Sequence, residues 1–596
     1  MTHDSRHGSL WKGLTCLLTL SQLSLVSAQV AEVEKATNAS LLWGPYRPNL
    51  YFGVRPRIPR SLMGGLMWTR VEDYQSVQSN FRHTCEQHEL DGYGWDEYDV
   101  RSGGRQTIHD PANKIDITTE FIKFPGGEHG GSWGARIKGT PREDAGPNLR
   151  TTVIWYNSLE GMGDLEVADA DPEEKGIKGD VVLKGQTNEL GDFEVRITEG
   201  KGDHPVTDHP SYDEKPLDRT LAHSGHLPPE ALWQAKTILF GHLKIQIDAL
   251  LKKWGEENPP PPAQVYTIQH LPGQGNMHLI QKVFEGPFEF DVIFSSGSAP
   301  TKITSEDLTV QIDSVTSGFS ARFTDIFKPQ APFLKERFEE FSKSLFSNLI
   351  GGIGYFFGDS RVDRSYDPAY EEDSEGFWEE AAEARKRNEA QLEGPSELFT
   401  AIPSRPFFPR GFLWDEGFHL LPVIDWDADL TLDIIKSWFK LMDEDGWIGR
   451  EQILGAEARS KVPEEFQVQY PHYANPPTLF MVLTSFLDKL DAVKTDTSSE
   501  KLQQEKSYSL QLSNREAALE YLRSSTHCSS ATTSGTARRN PATSRATTAR
   551  PFPPRRATAG ADAHQLTFSH LASTTTRVPN HRTPASYTST SSAGWA

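Results

Sequence analysis

The sequence has little cysteine and no excess of positive charge. Only three of its 596 residues are cysteines, which is too few for a disulfide framework. The formal net charge of -21 argues against a nucleic-acid partner, because phosphate binding requires a basic surface. We find no nucleotide-binding glycine loop, zinc-ligand spacing or nucleophile elbow in the sequence, and we predict neither a cofactor nor a metal site. Its composition, 36% hydrophobic and 24% charged, is that of a globular protein.

The last part of the chain, residues 525–596, lacks lysine and contains one acidic residue, Asp562, among many Ser, Thr and Arg residues. A disordered, O-glycosylated stalk would have this composition. A reading-frame slip of one base explains it as well, because threonine codons are what Asp, Tyr, His or Asn codons become when read out of frame. We predict a disordered, out-of-frame tail. The transcript sequence around codon 525 tests this, and an in-frame Ser/Thr-rich exon confirmed by peptides would contradict it.

The N-terminal residues 1–28 have the pattern of a secretory signal. Arg6 and Lys12 precede an apolar run at 14–26, and small residues follow it at a cleavage-like position. A signal anchor in the membrane is the alternative. Residues 29–39 are predicted to be a short linker, and Asn38 begins an N-glycosylation sequon that fits the secretory route.

Residues 40–300 are predicted to form a β-sandwich domain. Short apolar or alternating runs, such as 151–156 and 288–294, are separated by Gly, Pro, Asp and Asn, which is typical of antiparallel strands with turns between them. One helix is predicted to interrupt the strands at 229–254.

The periodicity changes after a predicted linker at 301–326. Apolar residues then recur every three or four positions, which predicts amphipathic helices over 327–524. The three stripes are Leu334, Phe338, Phe341, Leu345 and Leu349; Leu430, Ile434, Trp438 and Leu441; and Leu479, Leu483 and Leu487. Helices joined by long, aromatic-rich loops favour an α/α arrangement with function in the loops.

The densest chemistry lies at 404–419, where Asp415 and Glu416 are surrounded by aromatic residues. An aromatic pocket raises the pKa of a carboxyl group, and a protonated carboxyl beside flat rings suits glycoside cleavage. A helix-starting Asp415 and a hydrogen-bonded His419 would be the purely structural alternative.

A second polar cluster spans 447–460. Its charged residues could form ion pairs that hold a loop, or they could bind sugar hydroxyls. We favour structural pairing for Arg459 and substrate contact for Glu451.

With these segments, the sequence resembles glycoside hydrolase family 63 in its fungal-type version. The resemblance rests on residues 43–57, 65–68, 407–419 and 453–463, and it covers 40–524 nearly continuously. It implies an N-terminal β super-sandwich followed by an (α/α)6 toroid, of which 327–524 would be the incomplete start. It also implies an enzyme of the endoplasmic reticulum (ER), in the lumen or anchored to the membrane. This enzyme removes the outermost α-1,2-linked glucose from the N-glycan precursor on nascent glycoproteins, with inversion.

The resemblance also assigns roles to residues. The aspartate of the 412–419 segment is the family's general acid, which implies this role for Asp415. We predict substrate contacts for Phe412, Trp414, Glu416, Phe418, His419, Arg450, Glu451 and Glu457. An inverting hydrolase needs a second carboxylate, about 6.5–9.5 Å away, to activate water. The resemblance places that base near the end of the toroid, whereas no Glu follows Glu520, so we expect the chain as written to be inactive.

Two other functions stay open at this point. A chain without the base could be a non-catalytic, sugar-binding pseudoenzyme. Another inverting toroid hydrolase, such as a trehalase-like enzyme, is the remaining alternative, and the segment at 43–68 argues against it.

Overall fold

The computed structural model describes residues 35–87, 90–255, 257–364, 390–471, 473, 475–495, 509 and 518. The predicted signal at 1–28 and the predicted tail at 525–596 therefore lie outside the described residues. Within the described ranges, no helix is long and apolar enough to cross a membrane. Residues 35–41 are helical, so the last part of the predicted linker at 29–39 has regular structure.

The N-terminal part is an antiparallel β-sandwich domain, as the alternating runs predict. Fourteen strands are joined in one antiparallel network. In chain order they are Trp43–Gly44, Gly53–Pro56, Leu62–Arg70, Gly92–Asp99, Gly103–Asp110, Ile115–Phe124, Ser132–Pro141, Arg150–Leu159, Gly163–Val167, Val181–Thr187, Gly191–Ile197, Lys201–Asp203, Leu221–Gly225 and Met277–Ser296.

The strand Met277–Ser296 is the centre of this network. Its first half pairs with Arg150–Leu159, and its second half pairs with Ser132–Pro141. The change of partner falls at Gly286, which has a φ of 83°, a conformation that glycine adopts without steric cost. The sequence pattern shows only the second half, 288–294, as a strand because Gly and Pro punctuate the run.

Alternate residues of the central strands are buried on opposite faces, as the two-residue period of a strand requires. Trp155 packs into the main hydrophobic core, while Tyr156 belongs to a second cluster. That second cluster is covered by the predicted helix, which begins as a 3-10 turn at Pro229–Gln234 and continues as Ala235–Trp254. Leu239 and Leu243 of this helix are fully buried.

Helices and short strands dominate the rest of the described chain. The α-helices not yet named are Tyr74–Asn80 and Pro262–Val265 in the first domain, followed by Ser305–Ile326, Glu336–Gly351, Leu413–Trp426, Ala428–Phe439, Gly455–Arg459 and Leu479–Thr495. Short 3-10 turns lie at Pro210–Asp213 and Glu464–Phe466. Gly354–Val362, Gln391–Thr400 and Val468–Gln469 form a three-stranded sheet, and Gly411–Phe412 pairs with Glu451–Gln452.

The segment 301–326, predicted to be a linker, contains the long helix Ser305–Ile326. It begins with a capping box in which Thr304 and Asp307 exchange hydrogen bonds. Leu308, Ile312 and Phe319 are buried along one face of this helix. Its capping residues are a helix-start signal in the sequence, but Ser, Thr and Asp residues dilute its apolar stripe.

The helix Glu336–Gly351 buries a different face from the one that its apolar stripe predicts. Phe341 and Leu345 are exposed, whereas Phe346 and Ile350 are buried. The helix is held by polar contacts to the sandwich, since Asn348 accepts a hydrogen bond from the Trp95 backbone at 3.0 Å.

The other two predicted stripes agree better with the structure. Leu430, Ile434 and Trp438 are buried in the helix Ala428–Phe439. The helix Leu479–Thr495 buries Leu479, Val482, Phe486 and Leu490, but it leaves Leu487 exposed.

Candidate functional site

The segment around Asp415 is positioned by a short strand pair. Gly411–Phe412 lies antiparallel to Glu451–Gln452, and the Leu413 amide donates to the Arg450 carbonyl at 3.0 Å. The helix Leu413–Trp426 begins immediately after this pair. The two polar clusters of the sequence, 404–419 and 447–460, are therefore neighbours in space.

Close packing behind this helix requires a glycine at position 417. A Cβ on Gly417 would lie 2.3 Å from the Thr478 hydroxyl oxygen and 2.4 Å from its carbonyl carbon. The Thr478 hydroxyl donates to the Trp414 carbonyl at 2.6 Å. Thr478, which immediately precedes the helix Leu479–Thr495, thereby fixes the first turn that carries Asp415.

Asp415 is partly buried in that first turn. Burial raises the pKa of its carboxyl group, and the nearby charge of Glu451 acts in the same direction. The positive charge of His419 opposes the shift without cancelling it. A carboxyl group of raised pKa at a partly open position can hold and deliver a proton.

Glu416 is fully buried and faces the protein interior. Its carboxylate accepts the Ala401 backbone N–H at 3.1 Å and lies 3.0 Å from Nδ1 of His419. Because a carboxylate can only accept, Nδ1 of His419 carries the proton in this contact. The sequence predicts a substrate contact for Glu416, but Glu416 has no exposed surface with which to contact a sugar. Its carboxylate instead orients His419.

His419 is mostly buried beside two carboxyl groups. Burial lowers the pKa of its imidazole, but the hydrogen bond and the charge of Glu416, together with Asp415, outweigh this effect and raise it. His419 is therefore biased toward the imidazolium form next to Asp415.

Four aromatic rings of this segment reach solvent. Trp414 and Phe418 expose 40% and 47% of their surfaces, and their rings meet edge to face at 6.0 Å. Phe407 and Phe408 are similarly exposed, and Phe412 meets Phe408 edge to face at 5.6 Å. Exposed flat rings beside a carboxyl group form a surface on which a sugar face can stack.

Glu451 is buried in an ion pair that the sequence analysis missed. Nε and Nη2 of Arg410 donate to the same carboxylate oxygen of Glu451 at 2.9 and 2.7 Å. Arg450 binds the other oxygen at 3.1 Å, and its side chain stays about half exposed. Glu451 therefore anchors the strand pair, whereas Arg450 can still reach a ligand.

Glu457 connects the helical part to the sandwich domain. It accepts from Nη2 of Arg47 at 2.9 Å and from the Asn49 amide at 2.8 Å. Burial acts to raise the pKa of Glu457, but the charge of Arg47 and the hydrogen bonds lower it overall. Arg459 donates to the Asp359 carbonyl at 2.7 Å, in line with the structural pairing predicted for it.

Glu457 lines a cavity of about 320 Å³ whose described lining residues do not include Asp415. Within the described part of the chain, no group of three or more His, Cys, Asp or Glu residues could hold a metal ion. Asn38 is exposed, and its glycosylation stays a prediction.

Two family models match the chain in succession. The glycosyl hydrolase family 63 N-terminal domain matches residues 40–266, and the family's C-terminal domain matches residues 303–543. The chain belongs to glycosyl hydrolase family 63. The match to the C-terminal domain extends beyond residue 525, where the sequence composition changes, and ends well before residue 596.

Family 63 relatives of known name are similar over most of this chain. A probable mannosyl-oligosaccharide glucosidase of Schizosaccharomyces pombe is 40% identical over 509 residues, which cover 84% of this chain and 61% of the relative. The mannosyl-oligosaccharide glucosidase of Saccharomyces cerevisiae is 34% identical, with coverages of 80% and 58%. An Arabidopsis thaliana mannosyl-oligosaccharide glucosidase is also 34% identical, with coverages of 76% and 48%. The chain thus spans about half to three fifths of the length of these relatives.

Proposed function

We propose that this chain carries the general acid and part of the sugar-binding surface of an α-glucosidase. Its substrate would be the glucosylated N-glycan precursor Glc3Man9GlcNAc2, from which it removes the distal α-1,2-linked glucose. The observation that supports this most is Asp415, a partly buried carboxyl of raised pKa beside the exposed rings of Trp414 and Phe418. The names of the relatives point to the same substrate class.

In the proposed mechanism, Asp415 protonates the glycosidic oxygen that leaves. His419, held by Glu416, keeps a positive charge near Asp415 and so limits the rise of its pKa. Arg450 is the charged side chain of the second cluster best placed to bind a hydroxyl, because it is half exposed. Inversion requires a second carboxylate to activate water on the opposite face of the sugar, and we expect it from the sequence restored to frame after residue 525.

We further propose that the helices are part of an (α/α)6 toroid. The exposed apolar residues Phe341 and Leu345 support this, since neighbouring helices of a ring would cover them. Action on nascent glycoproteins would place the protein in the ER lumen or at its membrane through the N-terminal segment.

Glucose release is the direct test of the proposed function. The protein to assay is the restored-frame protein, in which the codons from 525 onward are read in the frame predicted above and continued to their own stop. We expect it to release one glucose from triglucosylated glycan. Failure of a folded restored-frame protein to release glucose would contradict the proposal.

The raised pKa of Asp415 predicts the pH dependence of the restored-frame protein. Because the acid must be protonated, kcat/KM should fall as pH rises through the pKa of Asp415. Replacing His419 by Asn removes a positive charge that lowers this pKa, so the basic limb should move to higher pH. A pH–rate profile of both proteins measures the shift, and a basic limb that moves to lower pH would contradict the assignment.

The exposed ring of Trp414 should contribute to substrate binding. In the restored-frame protein, Trp414→Ala is expected to raise KM by roughly three- to tenfold, which is the loss expected for one aromatic stacking contact. The matched control is Phe466→Ala, which removes a ring that is even more accessible, 57% exposed, and lies outside the Asp415 segment. Equal effects of the two variants on KM would show that Trp414 has no specific role.

A further inference from the structure

A cavity lies between the sandwich domain and the helical part and is lined by residues of both. Its volume is about 320 Å³, which is within the range of cavities that hold small organic ligands, ~300–1,000 Å³. The sandwich contributes Arg47, Arg55 and Glu160, and the 3-10 turn Pro229–Gln234 contributes Trp233. None of these four residues is among those for which the sequence predicts a substrate contact or a catalytic role.

Three buried N–H groups at this cavity have no hydrogen-bond acceptor among the described residues. They are Nε of Arg47, Nε of Arg55 and Nε1 of Trp233. The two arginines are 3% and 7% exposed. Arg47 is fixed by donation to the Tyr156 hydroxyl at 2.6 Å. Buried donors are normally paired, so unpaired ones at a cavity indicate a place for ligand oxygens or ordered water.

The cavity is also lined by a carboxylate, that of Glu160, whose nearest described cation is too distant for a hydrogen bond. The Glu160 carboxylate lies 3.9 Å from Nη2 of Arg55, which is beyond hydrogen-bond distance. Burial raises the pKa of Glu160, in spite of the nearby charges of Arg55 and Arg47. Glu160 can therefore accept a hydrogen bond from a ligand hydroxyl, or donate one when it is protonated.

The charges and rings of the lining define the class of ligand. Five cationic side chains are nearly balanced by four carboxylates; they are Arg47, Arg55, Arg60, Arg459 and Lys461 against Glu160, Glu230, Asp359 and Glu457. A balanced lining does not favour a polyanion. Aromatic residues lie among these polar groups, namely Tyr46, Trp233, Tyr355, Phe356 and Phe357. Unpaired donors, an acceptor and flat rings together suit a neutral ring with many hydroxyl groups.

We propose that this cavity binds one sugar residue of a neutral oligosaccharide, separately from the Asp415 region. Arg47, Arg55 and Trp233 would donate to ring or hydroxyl oxygens, and Glu160 would bind a hydroxyl. The inference rests on the proposed function in one respect only, which is the identity of the oligosaccharide. The oligosaccharide would be a second branch of the N-glycan proposed above as the substrate. Binding at the cavity needs neither hydrolysis nor the catalytic base.

Saturation-transfer NMR on the full 596-residue chain tests this proposal, with α-1,2-mannobiose as the probe. We expect binding by the unchanged protein. Trp233→Phe, which keeps a ring but removes the N–H, should weaken it by roughly three- to tenfold, the factor for one lost hydrogen bond. Glu160→Leu should weaken it at least as much. The matched control is Trp254→Phe, since the indole N–H of Trp254 is also buried and unpaired but does not line the cavity.

Three results would overturn the proposal. They are the absence of mannobiose binding to the folded chain, binding that Trp233→Phe and Glu160→Leu leave unchanged, and displacement of mannobiose by equimolar inorganic phosphate. Trp414→Ala separates this proposal from the proposed function, because Trp414 is an exposed ring of the Asp415 region and does not line the cavity. Binding that persists in Trp414→Ala supports a separate cavity site, whereas loss in that variant alone assigns the sugar to the Asp415 region. Absence of glucose release by the folded restored-frame protein, with mannobiose binding intact, would contradict only the proposed function.

Discussion

Replacing Asp415 by Asn in the restored-frame protein is expected to lower kcat for glucose release by roughly 10²–10⁴-fold, the usual contribution of a general acid. The substitution keeps the shape of the side chain and removes the transferable proton. Asp415 makes no ion pair among the described contacts, so the thermal unfolding temperature should change little. The measurement is the rate of glucose release from triglucosylated glycan at saturating substrate.

Asp425→Asn provides the matched control for this prediction. Asp425 lies on the same helix, Leu413–Trp426, and pairs at 2.7 Å with Lys489 while its side chain stays 49% exposed. Loss of an exposed pair of this kind costs about 0–1 kcal/mol, and kcat should be unchanged. Wild-type kcat in Asp415→Asn would remove Asp415 from the reaction.

The largest effect on stability is expected for Arg47→Met. This change leaves the Glu457 carboxylate with only the Asn49 amide as a described partner. Removing one partner of a buried ion pair leaves an uncompensated charge. Because the Glu457 side chain is 28% exposed, we expect a loss of about 2–3 kcal/mol, below the usual range for fully buried pairs. The urea midpoint of the full chain at neutral pH measures this loss.

The ion pair between Arg47 and Glu457 also predicts how the stability difference between Arg47→Met and the unchanged chain depends on pH. The pKa of Glu457 is lowered in the folded protein from its ordinary value of 4.5, so the pair stabilises the fold above that pH. This contribution is lost as pH falls through the folded pKa, and the gap between Arg47→Met and the unchanged chain should narrow under acid conditions. Arg364→Met is the matched control, because Arg364 binds Glu393 at 2.7 Å on the surface. Equal destabilisation by both variants would show that burial at Arg47 is unimportant.

The sequence predicted those elements whose pattern is local. The strand runs at 151–156 and 288–294 and the helix at 229–254 all lie where the structure has them. The stripe of the helix Ala428–Phe439 also points inward as predicted. In each case the apolar residues that define the period lie on the face that is buried.

Tertiary partners explain the predictions that failed. The helix Glu336–Gly351 packs on Trp95 of the distant sandwich through a face that is not its most apolar one. The helix at 305–326 was missed because its stripe is diluted by Ser, Thr and Asp residues. In both segments, contacts made far along the chain decide what the local pattern leaves open.

The candidate site also has one part that could be predicted from the sequence and another part that could not. Asp415 and its exposed rings stand together in the sequence, so their association could be predicted. The partners that bury Glu451 and Glu457 could not, since Arg410 is 41 positions from Glu451 and Arg47 is 410 positions from Glu457. Local clustering of charged residues therefore predicts a candidate region, but not the distant ion-pair partners of its carboxylates.

The most direct test of Asp415 as the proton donor compares two substrates in Asp415→Asn. Triglucosylated glycan has an alkoxide leaving group that needs a proton, whereas α-glucosyl fluoride releases fluoride with little acid assistance. For the restored-frame protein, we predict that Asp415→Asn loses roughly 10²–10⁴-fold in kcat on the glycan and keeps most of its activity on the fluoride. Equal losses on both substrates would contradict the account and would assign Asp415 to sugar binding.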